Sequence, residues 1–116
     1  MKIEIKWCAF GDKPEIWRFT SKVEIEIPDV VGKHQDDKQI CEQIFKQTNT
    51  YQGPIWDVIQ PKMSETRTHT AISVGDEIVV DGREYICADF GFIKKEDAEI
   101  KEIRGSIYSV QEKEKV

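Results

Sequence analysis

Asp81-Gly82 stands between two apolar runs, Ile78-Val79-Val80 and Tyr85-Ile86-Cys87, and no other stretch restricts the fold as tightly. A two-residue primed turn needs positive φ at both central positions, which Asp-Gly accepts and most residue pairs do not. The spacing therefore predicts an antiparallel hairpin. Phe90-Gly91-Phe92-Ile93 then reads as a continuation of its second strand past a bulge, the usual meaning of a glycine inside an apolar strand.

Two further stretches supply partners for that hairpin. Ile3, Ile5 and Trp7 alternate with Lys2, Glu4 and Lys6, and Val23, Ile25 and Ile27 alternate with Lys22, Glu24 and Glu26. Period-two spacing of this kind marks strands with one buried and one solvated face, and the two sets of charges are expected to pair across strands. Gly11-Asp12-Lys13-Pro14 breaks the first strand, and Pro28 ends the second.

Between these strands and the hairpin lies a helix pattern. Asp36 or Asp37 offers an N-cap, and Ile40, Cys41, Ile44, Phe45 and Thr48 form one stripe at a 3.6-residue period. Lys38, Glu42 and Lys46 occupy the other face, with Glu42 to Lys46 in the favourable i to i+4 order. Pro54 then starts a short helix through Trp56, Val58 and Ile59, halted by Pro61. Lys62 to Thr70 reads as loop, Lys94 to Glu102 as charged and weakly helical, and Ile103 to Val110 as a late strand. The expected architecture is α+β: a bent, mostly antiparallel sheet with a central Asp-Gly hairpin and one packed amphipathic helix. It forms a single domain over 1–116, with 110–116 frayed.

Composition narrows function mainly by exclusion. A chain of 116 residues with 39% hydrophobic content suits one core. Its net charge of −5 argues against general affinity for nucleic acid or an anionic membrane. With no apolar run long enough to span a bilayer and no leader-like segment at the start, a cytoplasmic, non-membrane protein is expected. Cys8, Cys41 and Cys87 are widely spaced in apolar surroundings, which predicts buried, reduced thiols. No CxxC or HxxxH spacing supports a metal, no phosphate loop or nucleophile elbow is present, and neither cofactor nor catalytic activity is expected.

Two binding surfaces are conceivable from residue type. Tyr51 and Trp56 lie in the connection between the main helix and the hairpin, where large aromatics either pack or bind, and Arg67 and His69 follow in the polar loop. These four are the candidates for contact with a protein partner. Trp17, Arg18 and Phe19, together with Arg67, interleave aromatic and cationic groups as a small RNA- or DNA-binding surface would, and form the alternative.

The series Ser73-Val74-Gly75-Asp76, Val80-Asp81-Gly82, Tyr85, Cys87 and Phe90-Gly91-Phe92 resembles a C-terminal module of small proteins from bacteriophages, plasmids and conjugative elements. It is also similar to YodL-like domains. Gln47-Thr48-Asn49 and Arg67-Thr68-His69-Thr70 fit the same pattern, so the resemblance spans about residues 40–93. It implies an accessory protein of a mobile element that binds a host or phage protein, for example to counter a defence or regulatory system. It assigns no catalytic or binding residue.

Overall fold

The computed structural model describes residues 1–8, 19–27, 36–62, 71–104 and 107–114. Among the described residues, seven strands and two α-helices follow one another as β1 (Lys2–Cys8), β2 (Phe19–Glu26), α1 (Asp37–Thr50), α2 (Pro54–Ile59), β3 (Glu77–Val80), β4 (Arg83–Cys87), β5 (Phe92–Lys94), β6 (Ala98–Arg104) and β7 (Ile107–Glu112). The first five strands form one antiparallel sheet in the order β2-β1-β3-β4-β5, and β6 and β7 form a separate hairpin. The α+β class holds, and β3 of the Asp-Gly hairpin is the middle strand.

The turn has the geometry its residues demand, with φ of 48° at Asp81 and 85° at Gly82. Asp81 also ties the turn to β1. Its carboxylate accepts the Lys2 N–H at 2.7 Å, and its own N–H donates to the Lys2 carbonyl at 2.8 Å. The hairpin and the opening strand are thereby in register from their ends, Ile3 opposite Val80 and Ile5 opposite Ile78.

Alternation then decides the faces. Ile3, Ile5, Trp7, Val23, Ile25, Ile27, Ile78, Val80, Tyr85, Cys87 and Phe92 join one core with Ile40, Cys41 and Ile44 of α1 and Ile55 and Ile59 of α2. Thr48, also buried on the α1 stripe, donates its hydroxyl to the Ile44 carbonyl at 2.8 Å and so carries no unsatisfied group into the core. Phe45, expected on the same stripe, lies at its margin and is 36% exposed. Its ring meets Phe92 edge-on, with centroids 6.1 Å apart.

On the outer face the expected cross-strand pairing is only partly realised. The register sets Lys2 opposite Glu26 but Glu4 opposite Glu24 and Lys6 opposite Lys22. Ion pairs among the described residues include Lys2 to Glu24 across a diagonal at 3.2 Å, Lys6 to Glu4 within one strand at 3.4 Å and the N-terminal ammonium to Glu26 at 3.0 Å. The α1 pair of Glu42 and Lys46 is likewise not formed among the described residues, because Glu42 turns toward the β4–β5 connection. β2 is the outermost strand, and the Lys62 ammonium donates to its Glu24 carbonyl at 3.1 Å.

The second half departs further from expectation. β4 does not run on past a bulge. It ends at Cys87, and the chain reverses through Ala88 to Gly91, where Gly91 has φ of 69° and the Ala88 N–H bonds to the Gly91 carbonyl at 2.8 Å. The glycine serves a turn into β5, not a bulge. The segment expected to be weakly helical holds only a short 3-10 turn, Lys95–Asp97, before β6. Alternating Ile100 and Lys101 now face Val110 and Ser109 of β7, a pairing that outweighs the helix propensity of the lysines and glutamates. The expected late strand straddles two strands, and the expected frayed end is ordered through Glu112, with Val110 fully buried.

The β6–β7 hairpin covers the outer sheet face with a second small cluster of Ile86, Ala88, Ile93 and Val110. Polar ties secure it. The Asp89 N–H donates to the Val110 carbonyl at 2.9 Å, and the Asp89 carboxylate accepts from the Ser109 hydroxyl, from the Val110 N–H at 3.0 Å and from Gln111 at 3.3 Å. The almost wholly buried Glu77 is held by the Lys95 ammonium at 3.0 Å, as an ion pair whose alignment is not that of a hydrogen bond. No helix of the described residues is long and apolar enough to cross a membrane.

Candidate functional site

Two polar side chains of the 47–49 segment, Gln47 and Asn49, fix the ground around the site. Gln47 Oε1 accepts the Ile55 N–H at 2.7 Å and so caps α2, whose own N-cap, Gly53, has no side chain to do it. Gly53 has φ of 117°, and a Cβ there would meet Gln47 Oε1 at 2.5 Å, so the glycine is required by both backbone and space. Asn49 grips the backbone of Ile72, accepting its N–H at 2.7 Å and donating to its carbonyl at 3.3 Å. The next residues close a tight turn, in which the Asp76 carboxylate accepts the Ser73 N–H at 2.8 Å. Gly75 and Asp76 are laced to Cys87 of β4 by backbone bonds of 2.9 and 2.8 Å.

These ties leave a groove of about 400 Å³ between α1, the 72–74 segment and the β4–β5 turn. Phe45, Ile72, Val74, Cys87 and Phe92 supply its apolar surface, and Glu42 and Asp89 are its charged lining residues. Val74 is 41% exposed, and Phe90, between the lining residues Asp89 and Gly91, is 93% exposed. Each wall is fastened to another element, so the groove is formed in advance and a ligand would bear little ordering cost.

The thiol within the groove is disfavoured as a thiolate. Burial pushes Cys87 up to about 12, and burial does the same to Cys41 on the helix above. Both are free, as expected. The side chain of Cys8 lies outside what is described. Asp89 is held below the usual carboxylate range, first by the Ser109 hydroxyl and then by the Val110 N–H, and stays ionised.

A second cleft, of about 490 Å³, lies at the other end of the hairpin between Arg83, Glu84, Tyr85 and Lys94 to Glu96. Its cations are largely committed to the protein itself. Arg83 forms a two-pronged bond to Asp37 at 2.6 and 3.1 Å, and the Tyr85 hydroxyl donates to the same carboxylate at 2.6 Å. Lys95 bridges Glu77 and Glu84. The cluster clamps the start of α1 to β4. Asp36 takes the capping role, its carboxylate accepting the Gln39 N–H while the Gln39 side chain accepts the Asp36 N–H.

The Arg83 guanidinium, followed by the Tyr85 hydroxyl, holds Asp37 below the usual carboxylate range. A depressed folded pKa contributes stability above the unfolded value near 3.9 and loses it as pH falls through the folded value. Asp37→Asn is expected to lower the melting temperature by about 3–6 °C at pH 7, equivalent to ~1 kcal/mol for a partly exposed pair. The gap to the parent should close as pH falls below the unfolded value, through the lower folded one. Thermal melts across that range check it, and a gap independent of pH would refute the clamp.

Of the residues expected to bind, Tyr51 is 46% exposed but serves as the left-handed C-cap of α1, with φ of 54°. Trp56 is half-buried in α2. Arg67, His69, Trp17 and Arg18 lie outside the described residues, and Phe19 is placed by its backbone alone as the first residue of β2. Of the first expected set the structure describes Tyr51 and Trp56, and of the second only the backbone of Phe19. Among the described residues no group of three or more His, Cys, Asp or Glu side chains is disposed to hold a metal. The groove was foreshadowed only by Phe45 at the rim of the helix stripe and by the paired aromatics around Gly91. Comparison of the chain with protein-family models, with curated proteins and with solved structures finds no match.

Proposed function

We propose that this chain is a non-catalytic protein-interaction module whose docking surface is the groove between α1 and the β4–β5 turn. One observation carries the reading: the partly exposed Phe45 and Val74 line an apolar groove, and Phe90, in the turn between its lining residues Asp89 and Gly91, is 93% exposed. Scattered apolar residues on a surface are ordinary, but exposed ones lining a preformed concavity are the composition of a binding site. The resemblance to mobile-element proteins and YodL-like domains gives the wider setting, an accessory protein acting on a host protein, such as a component of a defence or regulatory system.

The test is affinity capture with the tagged chain from cells that carry it, in parallel with a Val74→Asp/Phe90→Ser variant and a Tyr51→Ala variant. A partner captured by the parent and by Tyr51→Ala, and lost by more than tenfold with the groove variant at unchanged melting temperature, is the expected result. Loss with Tyr51→Ala and retention by the groove variant would move the surface to the end of α1 and overturn the assignment.

A further inference from the structure

The charges lining the groove are both acidic and both lie beside one turn. Glu42 reaches from α1 over the β4–β5 connection, its Oε1 within 3.6 Å of the place a Cβ on Gly91 would occupy, and Asp89 belongs to that same connection. Glu42 forms no ion pair within 4 Å among the described residues, and the lining contains no lysine or arginine. Asp89 satisfies the β6–β7 hairpin with its carboxylate and keeps its negative charge. One end of the groove is therefore negative, and the remainder, Phe45, Ile72, Val74 and Phe92, is apolar.

Covering such a surface with a neutral partner would strip water from a carboxylate and give nothing back, which is costly unless a cation replaces the water. An anionic partner would set like charges together, and the chain as a whole is already at −5. We propose that the groove takes a linear segment of a protein partner in which apolar anchor residues are followed by a lysine or arginine that meets Glu42 and Asp89. The assignment rests on the docking reading above and adds the chemistry of the occupant.

The experiment is selection of the immobilised full chain against a surface-displayed library of random linear peptides, with synthetic copies of enriched clones then titrated. Enriched clones should combine apolar residues with Lys or Arg. Their affinity should fall about tenfold with Glu42→Lys, a reversal of charge at an exposed position, weaken with salt, and be lost with Val74→Asp. Phe90→Ser replaces Val74→Asp should the latter fail to fold. Clones without cationic bias, lost with Val74→Asp yet indifferent to Glu42→Lys, would overturn the charge assignment and leave the docking surface standing. An absence of enriched clones, or clones indifferent to every groove variant, would overturn both.

Discussion

Trp7→Ala should cost about 3–5 kcal/mol of folding stability, the largest loss expected from any single side chain described here. Trp7 is fully buried in β1, on the face where Ile3 and Ile5 also point, and it has the greatest volume of the fully buried residues. Removing the indole leaves a cavity that a strand held on both sides, by β2 and β3, cannot readily close. Domains of this size commonly have about 5–15 kcal/mol in total, so the loss is a large share of the whole. Urea unfolding followed by circular dichroism measures the loss, with Trp56→Ala as the control. Trp56 is half-buried, and its truncation should cost distinctly less. Equal losses would contradict the assignment of the two indoles to different environments.

Asp89→Ala should detach the β6–β7 hairpin without unfolding the main sheet. The carboxylate accepts from Ser109, Val110 and Gln111, and hydrogen bonds to a charged group are worth about 1.5–3 kcal/mol each when not additive with one another. Among the described residues the cluster beneath it consists of Ile86, Ala88, Ile93 and Val110 with Ala98 and Ile100 packed against them, a small area to hold two strands once the polar anchor is gone. A net loss of about 2–4 kcal/mol is expected, concentrated in the hairpin. Amide hydrogen exchange locates it: residues 98–104 and 107–112 should exchange at least a hundredfold faster, while Ile3, Ile5, Ile78 and Val80 change little. Uniform acceleration across both sheets would mean that hairpin and sheet unfold as one unit.

How far the sequence foretold these features depended on how local their causes are. The Asp81-Gly82 turn, the alternation of β1 and β2, the capped helix and the short helix at Pro54 are each written within a few residues, and each is present. The turn at Gly91 was misread because a glycine between aromatics is equally at home in a bulge and in a reversal. What separates them is the Ala88 to Gly91 bond and the pairing of β5 with β4, neither of which the local sequence specifies. β6 was misread because its lysines and glutamates favour helix, while the decision lies with β7 across the turn.

The groove is less legible still, since α1, the 72–74 segment and the β4–β5 turn are distant in sequence and are brought together by long-range ties such as Asn49 on Ile72, Asp76 on Cys87 and Phe45 on Phe92. The residues that carry the resemblance prove to be these fasteners. Gln47 caps α2, Asn49 and Asp76 brace the groove wall, and Asp81 locks β1 to the hairpin.

The outermost strand bears on how the molecule behaves when crowded. A second copy approaching β2 to extend the sheet would find the Glu24 carbonyl already occupied by Lys62, and the Glu24 and Glu26 side chains of both copies brought together. Charged margins of this sort block runaway growth of β-structure into fibrils. At the β2 margin the sheet is therefore guarded against being lengthened by a second copy of the chain.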